Sequence, residues 1–171
     1  NEEIKKLNEE YDEIDIYSGT EMDILPDGSL DYDNEVLAQL DYVIAAIHQS
    51  FNQSEDEIMK RLEVACKNPY VRHIAHPTGR IIGRRPGYKP NIEKLMKLAE
   101  ETNTILEINA NPKRLDLNAE TVRKYPNVKL TINTDAHHTN HLEFMKYGVA
   151  TAQKGFVAKD RVVNALSRCL L

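Results

Sequence analysis

The sequence predicts an α/β fold built on a parallel sheet, and three observations carry that prediction. Short β-rich runs alternate with helical patterns along the chain. The segments between runs are long enough to cross over a sheet, as parallel strands require. Residues of metal-ligand chemistry recur at the ends of successive runs.

Taken in order, residues 1–10 have an acidic helical pattern that resembles neither a signal peptide nor a transit peptide. Residues 14–19 read as the first strand and 42–47 as the second. Ser54 and Glu57 then form a capping box that opens a helix over Glu55–Lys67, with Ile58, Leu62, Ala65 and Cys66 on one face and Asn68-Pro69 at its end. The third strand spans 71–75. Asn91 caps the next helix, whose Ile92, Leu95, Met96 and Ala99 repeat at helical spacing as far as Thr102. The fourth strand, 105–109, is followed by a helix at 119–125 and a fifth strand at 129–133. A helix at 142–147, a short sixth strand at 149–152 and a last helix at 158–168 complete the pattern, the last burying Val162, Leu166 and Cys169. No repeat or low-complexity linker divides the chain, so residues 1–171 read as one domain. Periodicity alone suits an open sheet and part of a barrel equally.

Composition narrows the function classes. No apolar run approaches the ~20 residues of a bilayer span, so a membrane role is not expected and a cytoplasmic location is. The formal net charge of -5 argues against a chain-wide electrostatic grip on nucleic acid and restricts any such contact to a local patch. One candidate patch is the segment from Gly79 to Pro90, which carries Arg80, Arg84, Arg85 and Lys89 without an acidic residue; Lys113 and Arg114 add charge after the fourth strand. Cys66 and Cys169 each fall on an apolar helix face and read as free, buried thiols of a reducing compartment.

The candidate site is positional. Glu21 follows the first predicted strand, His48 the second and His76 the third; Asn109 ends the fourth, and Asp135 and His137 follow the fifth. At the carboxyl edge of a parallel sheet, loops from different strands converge on a rigid support. Three imidazoles and two carboxylates without a thiolate form a mixed N/O set suited to Zn, Mn or Fe(II) rather than to a structural cysteine site. Taken singly, these residues have plainer roles: a lone histidine at a strand end is more often structural, and Glu21 alone could cap the turn of Pro26, Asp27 and Gly28. Asn109 suits hydrogen-bonded support, while His73, His138 and His141 suit structural or solvated positions. Their recurrence at successive strand ends favours the site.

The motifs Gly19-Thr20-Glu21, Ala46-Ile47-His48, Ala75-His76-Pro77, Glu107-Ile108-Asn109-Ala110-Asn111 and Asn133-Thr134-Asp135-Ala136-His137 resemble, in order and placement, the later motifs of the PHP (polymerase and histidinol phosphatase) superfamily. The longer stretches Gly19 to Leu25, His76 to Arg80 and Asn111 to Leu117 resemble the PHP domain of bacterial family X DNA polymerases. The resemblance covers essentially the whole chain. It implies a distorted, seven-stranded βα barrel of TIM-like type with up to three divalent ions, Mn2+ foremost and Zn2+ next, at its carboxyl mouth. It implies Glu21, His48, His76, Asp135 and His137 as metal ligands, with His48, His76, Asp135 and His137 at the catalytic centre. Arg80, Arg84, Arg85, Asn109 and Arg114 are assigned to substrate. The implied activity is 3′-5′ exonuclease and 3′ phosphatase chemistry on DNA 3′ ends in repair, with a polymerase domain upstream in the same chain. The family's initial His-x-His has no counterpart, since no histidine precedes His48. The chain therefore reads as the C-terminal portion of its domain, expected alone to bind metal weakly and to show little activity. The alternatives are a small-molecule phosphatase of the histidinol phosphatase type and a non-catalytic PHP domain that stabilises an attached polymerase. An amidohydrolase-type barrel would show a bridging lysine at a strand end, and none stands there.

Overall fold

A computed structural model describes residues 2–166. Eleven elements follow the chain: α1 (Glu2–Glu10), β1 (Gly19–Asp23), α2 (Asn34–Leu37), β2 (Tyr42–Ala46), α3 (Glu55–Lys67), β3 (Val71–Ile74), α4 (Ile92–Thr102), β4 (Ile105–Asn109), α5 (Ala119–Lys124), β5 (Leu130–Asn133) and α6 (Met145–Lys154). Tighter 3-10 turns occupy Thr139–Phe144, Lys159–Arg161 and Val163–Ala165. The five strands pair in parallel in chain order, β1-β2-β3-β4-β5, with crossovers between neighbours. An α/β architecture with consecutive parallel strands is compatible with part of a TIM-like barrel; seven strands are not present among the described residues.

The two faces of the sheet differ because side chains alternate along each strand. One face carries Met22, Val43, Ala45, Ile74, Leu106, Ile108, Leu130 and Ile132, all in the hydrophobic core that α3, α4, α5 and α6 help to close. The register sets Glu21 beside Ile44, Ile44 beside His73, Glu107 beside Thr131 and Asn109 beside Asn133 on the opposite, polar face. The capping box of Ser54 and Glu57 forms as its sequence predicts, and Asn91 caps α4 through Lys94.

Four sequence expectations are corrected. The first strand is not 14–19 but Gly19–Asp23: Ile14 and Tyr17 are exposed, whereas Met22 is buried and the run pairs along β2. Partner and burial, rather than β-branched composition, decide a strand. The sixth strand expected at 149–152 lies inside α6, and the predicted helix at 142–147 is split between a 3-10 turn and that helix. Gly148 explains the packing of α6, since a Cβ there would stand 2.4 Å from Ile132 Cγ2 and 2.7 Å from Ala110 Cβ. The closing helix at 158–168 is replaced, as far as residue 166, by two 3-10 turns. Val162 instead bridges Leu130 in parallel, and the Asn164 side chain both accepts from Ile132 N (3.1 Å) and donates to Ile132 O (2.8 Å). Asn164 thus satisfies backbone groups at the edge of β5 that a further strand would otherwise meet. Cys66 is a buried free thiol pushed up to about 11 by burial, and Cys169 lies outside the described residues.

The close seating of α6 generates a stability prediction. Gly148→Val forces Ile132 and Ala110 apart, an overpacking expected to cost about 1–3 kcal/mol in urea denaturation. Gly148→Ala should cost less than Gly148→Val; equal stability of all three would refute the close-contact explanation.

Candidate metal centre

Glu21 projects from within β1, not from the loop after it, because the strand begins later than its composition suggests. Its Oε1 lies 3.1 Å from His48 Nε2, beyond the end of β2, and 3.0 Å from His76 Nε2, beyond β3. One donor atom from each of these residues lies within 4.8 Å of the others, the geometry of a group that could hold a metal ion. The His48 and His76 rings meet edge to face with centroids 5.2 Å apart. Two imidazole nitrogens and one carboxylate oxygen from three separate strands are a fitting donor set for a divalent transition ion.

The supports of these three residues are as informative as the residues themselves. Asp23, two residues beyond Glu21 on the same strand face, bonds His48 Nδ1 and leaves Nε2 toward Glu21. A carboxylate on the far nitrogen orients a histidine ligand and raises its basicity. Buried Arg61 of α3 donates to Ile24 O after β1 and to Gln49 O (3.2 Å) after β2, fastening the two loops that bracket His48. His76 is fully buried, and its backbone N–H donates to Glu107 Oε2 at 2.6 Å. The Asp116 carboxylate accepts from Thr78 N (2.9 Å), Thr78 Oγ1 (2.9 Å) and Gly79 N (3.1 Å), pinning the next turn. His76 and Asp135 both take positive φ, 28° and 52°. Such conformations persist where surrounding contacts enforce them, as these do.

Asp135 shares a cavity of about 480 Å3 with Glu21, His73 and Glu107, but its carboxylate is otherwise engaged. Its Oδ2 accepts from Arg114 Nε (3.0 Å) and Asn109 Nδ2 (3.2 Å). His137 stands apart from the triad: its Nδ1 is 2.9 Å from Asp135 O, and its side chain is 79% exposed. The triad therefore gathers Glu21, His48 and His76, with Asp135 and His137 forming a second, adjoining group. The residues assigned from sequence to substrate are unequal. Arg80 donates to Arg114 O and Leu115 O, and Arg85 donates to Gly79 O while lying 3.9 Å from the Phe51 ring centroid. Asn109 is buried against Glu107 and Asp135, Arg114 is paired with Asp135, and Arg84 is exposed.

Sequence reasoning missed Asp23, Arg61, Glu107 and Asp116. The alternation Glu21-x-Asp23 and Glu107-x-Asn109 within strands signals the first and third, because residues two apart share a face. His73, read as structural, is buried with its Nε2 3.1 Å from Thr131 Oγ1, and burial lowers its imidazole to about 3.

Over 167 residues the chain is 56% identical to the DNA polymerase/3′-5′ exonuclease PolX of Bacillus subtilis, covering 96% of this chain and 29% of that protein. That match is consistent with a fragment of a PHP-type domain. No family model matches the chain. A probable phosphatase of Thermoanaerobacter sp. (strain X514) is 28% identical over 94% of the chain and 68% of its own length. A probable phosphatase of Caldanaerobacter subterraneus is 36% identical over 62% of the chain and 41% of its own length. The chain thus spans under a third of the PolX protein, and no described helix is long and apolar enough to cross a membrane.

The charges of the triad set a pH dependence in metal-free protein. Hydrogen bonds from His48, then His76, hold Glu21 well below the usual carboxylate range, while the bond to Glu21, with Asp23 assisting, raises His48 above its ordinary value. The Glu21 contribution is present above its ordinary 4.5 and lost as pH falls through the lowered value. The His48 contribution is complete below its ordinary 6.5 and lost as pH rises through the raised value. Urea denaturation should therefore show a larger stability difference between wild type and Glu21→Gln near pH ~5.5 than near pH ~8.5. Parallel pH profiles would exclude this coupling.

Proposed function

We propose that this chain is the metal-dependent phosphoesterase module of a family X DNA polymerase, hydrolysing phosphodiester or phosphomonoester bonds at DNA 3′ ends. The observation that supports it most strongly is the convergence of Glu21 Oε1 from β1 with His48 Nε2 and His76 Nε2 from the turns after β2 and β3. The Bacillus subtilis relative, named as a 3′-5′ exonuclease, supplies the reaction class. On this reading the sheet is part of a seven-stranded barrel, the polymerase lies in the same chain, and the work is cytoplasmic DNA repair.

Glu21, His48 and His76 would hold a first divalent ion, Mn2+ before Zn2+, and Asp135 with His137 would complete a cluster of up to three. Bound ions of this kind supply an activated water and stabilise the leaving oxygen in phosphoester hydrolysis. The chain's own residues perform the positioning. Asp23 fixes the tautomer of His48, Glu107 holds the His76 backbone, and Asn109 with Arg114 aims Asp135. Exposed Arg84 offers a phosphate contact, while Arg80 and Arg85 shape its loop. A small-molecule phosphatase is the second reading, favoured by the probable phosphatase that matches 94% of the chain. That reaction requires the same ions but no basic loop.

Two measurements separate these readings. His76→Ala should weaken Mn2+ binding by at least about tenfold in calorimetry, and abolish 3′-exonuclease activity in the protein at its full natural length. Arg84→Glu should weaken DNA binding and lower the slope of log K against log salt by about 1, with small-ester hydrolysis unchanged. An unchanged DNA affinity and salt slope, with active hydrolysis, would favour the small-molecule reading.

A further inference from the structure

The segment after β5 carries rings at every third position: His138, His141, Phe144 and Tyr147. Residues Thr139–Phe144 form a 3-10 helix, in which side chains at i and i+3 eclipse, so this spacing lines the rings up. Successive centroids are 6.1, 4.9 and 6.3 Å apart, and the His141 and Phe144 rings are stacked at 18°. Phe144 anchors the row by packing against the core. The row starts beside His137, whose backbone N–H donates to His141 Nδ1 at 3.2 Å and which the proposed reading counts among the ion ligands.

This row lies within an exposed apolar surface. Leu142 is 63% exposed, Tyr147 is 41% exposed, and Met145 and Val149 are also open to solvent. Exposed apolar side chains gathered on one short segment are a feature of interaction sites. Its chemistry selects the partner: π faces accept any nucleobase by stacking, whatever the sequence. Lys146, near the Tyr147 ring at 5.4 Å, adds a cation suited to the accompanying backbone. A strand end whose phosphoester sits beside His137 would bring its last bases onto these rings.

We propose that the His138–His141–Phe144–Tyr147 row, with Leu142, is a stacking platform for the unpaired terminal bases of a nucleic-acid strand held at the metal centre. The platform deepens the phosphoesterase reading and rests on it. It makes the 3′-terminal nucleoside, besides the phosphate, part of substrate recognition. Neutral ring contacts also give a component of binding that salt screens little.

The test uses the protein at its full natural length and an oligonucleotide with 2-aminopurine at its 3′ end, whose fluorescence falls on stacking. Wild type should quench the probe. Leu142→Ser/Tyr147→Ala, two exposed positions outside the metal ligands, should lose most of the quenching and raise the oligonucleotide KM about tenfold. The same variant should hydrolyse bis(4-nitrophenyl) phosphate at the wild-type rate. His138→Ala, an independent change at the other end of the row, should also reduce quenching. Unchanged quenching in both variants overturns the platform, and so does a change in oligomeric state or melting temperature without loss of quenching, which would assign the surface to another copy or segment of the protein. Absence of all phosphoester hydrolysis in wild type would defeat the phosphoesterase reading instead, while the quenching still decides whether bases stack on the row.

Discussion

Glu107 is a carboxylate buried at the carboxyl end of a parallel sheet, and the structure around it answers the need to satisfy its oxygens. Its Oε2 accepts from the His76 backbone N–H (2.6 Å) and from Asn109 Nδ2 (3.1 Å), while Oε1 accepts from Asn133 Nδ2 (3.1 Å). These contacts tie the ends of β3, β4 and β5 together. Burial still pushes the carboxyl up to about 7 against these bonds. A buried polar group without such partners is costly, so the positions of the strand ends and the orientation of His76 follow from one satisfied side chain.

Asn109 extends the same network from Glu107 to Asp135, and Arg114 closes it. The two acidic walls of the cavity consequently differ. Glu21 faces imidazoles, whose nitrogens can coordinate an ion, whereas Asp135 faces the Arg114 guanidinium, which donates hydrogen bonds and offers no acceptor. The fold supports this difference by keeping apolar residues on the helix-covered face of each strand and the polar set on the other. Edge chemistry completes the arrangement at β5, where Asn164 takes both backbone bonds of Ile132.

Much of this was legible in residue order. The helices α3 and α4 were readable because their caps are local: Ser54 with Glu57, and Asn91, act within one turn. Strands β2 to β5 were readable because β-rich runs there coincide with burial. The expected first strand was misplaced because the apolar residues at 14–17 lack a strand partner, whereas polar Gly19-Thr20-Glu21 has one in β2. Val149 and Thr151 suggested a strand, but the close contact at Gly148 belongs to a helix seated on β5. At the site, single residues of ligand chemistry stood out, yet the division between an imidazole-bound Glu21 and an arginine-bound Asp135 depends on contacts between distant segments. Spacing along the chain does not encode them.

The same dependence on contacts governs the basic loop. Counted by sequence, Arg80, Arg84 and Arg85 are equivalent charges; in the fold, Arg80 and Arg85 spend hydrogen bonds on carbonyls and only Arg84 projects as an exposed cation. A net charge of -5 gives no general attraction for a polyanion, so binding that relied on charge alone would rest on few contacts and fall steeply with salt. Rings and aliphatic side chains next to the site offer the complementary kind of contact, indifferent to salt and available to unpaired bases. On the proposed reading, recognition is thereby divided: ion ligands and Arg84 address the phosphate, and the His138 to Tyr147 row addresses the base. That division favours a frayed or single-stranded end over an intact duplex, because bases already paired and stacked cannot lie on the row without first leaving the helix.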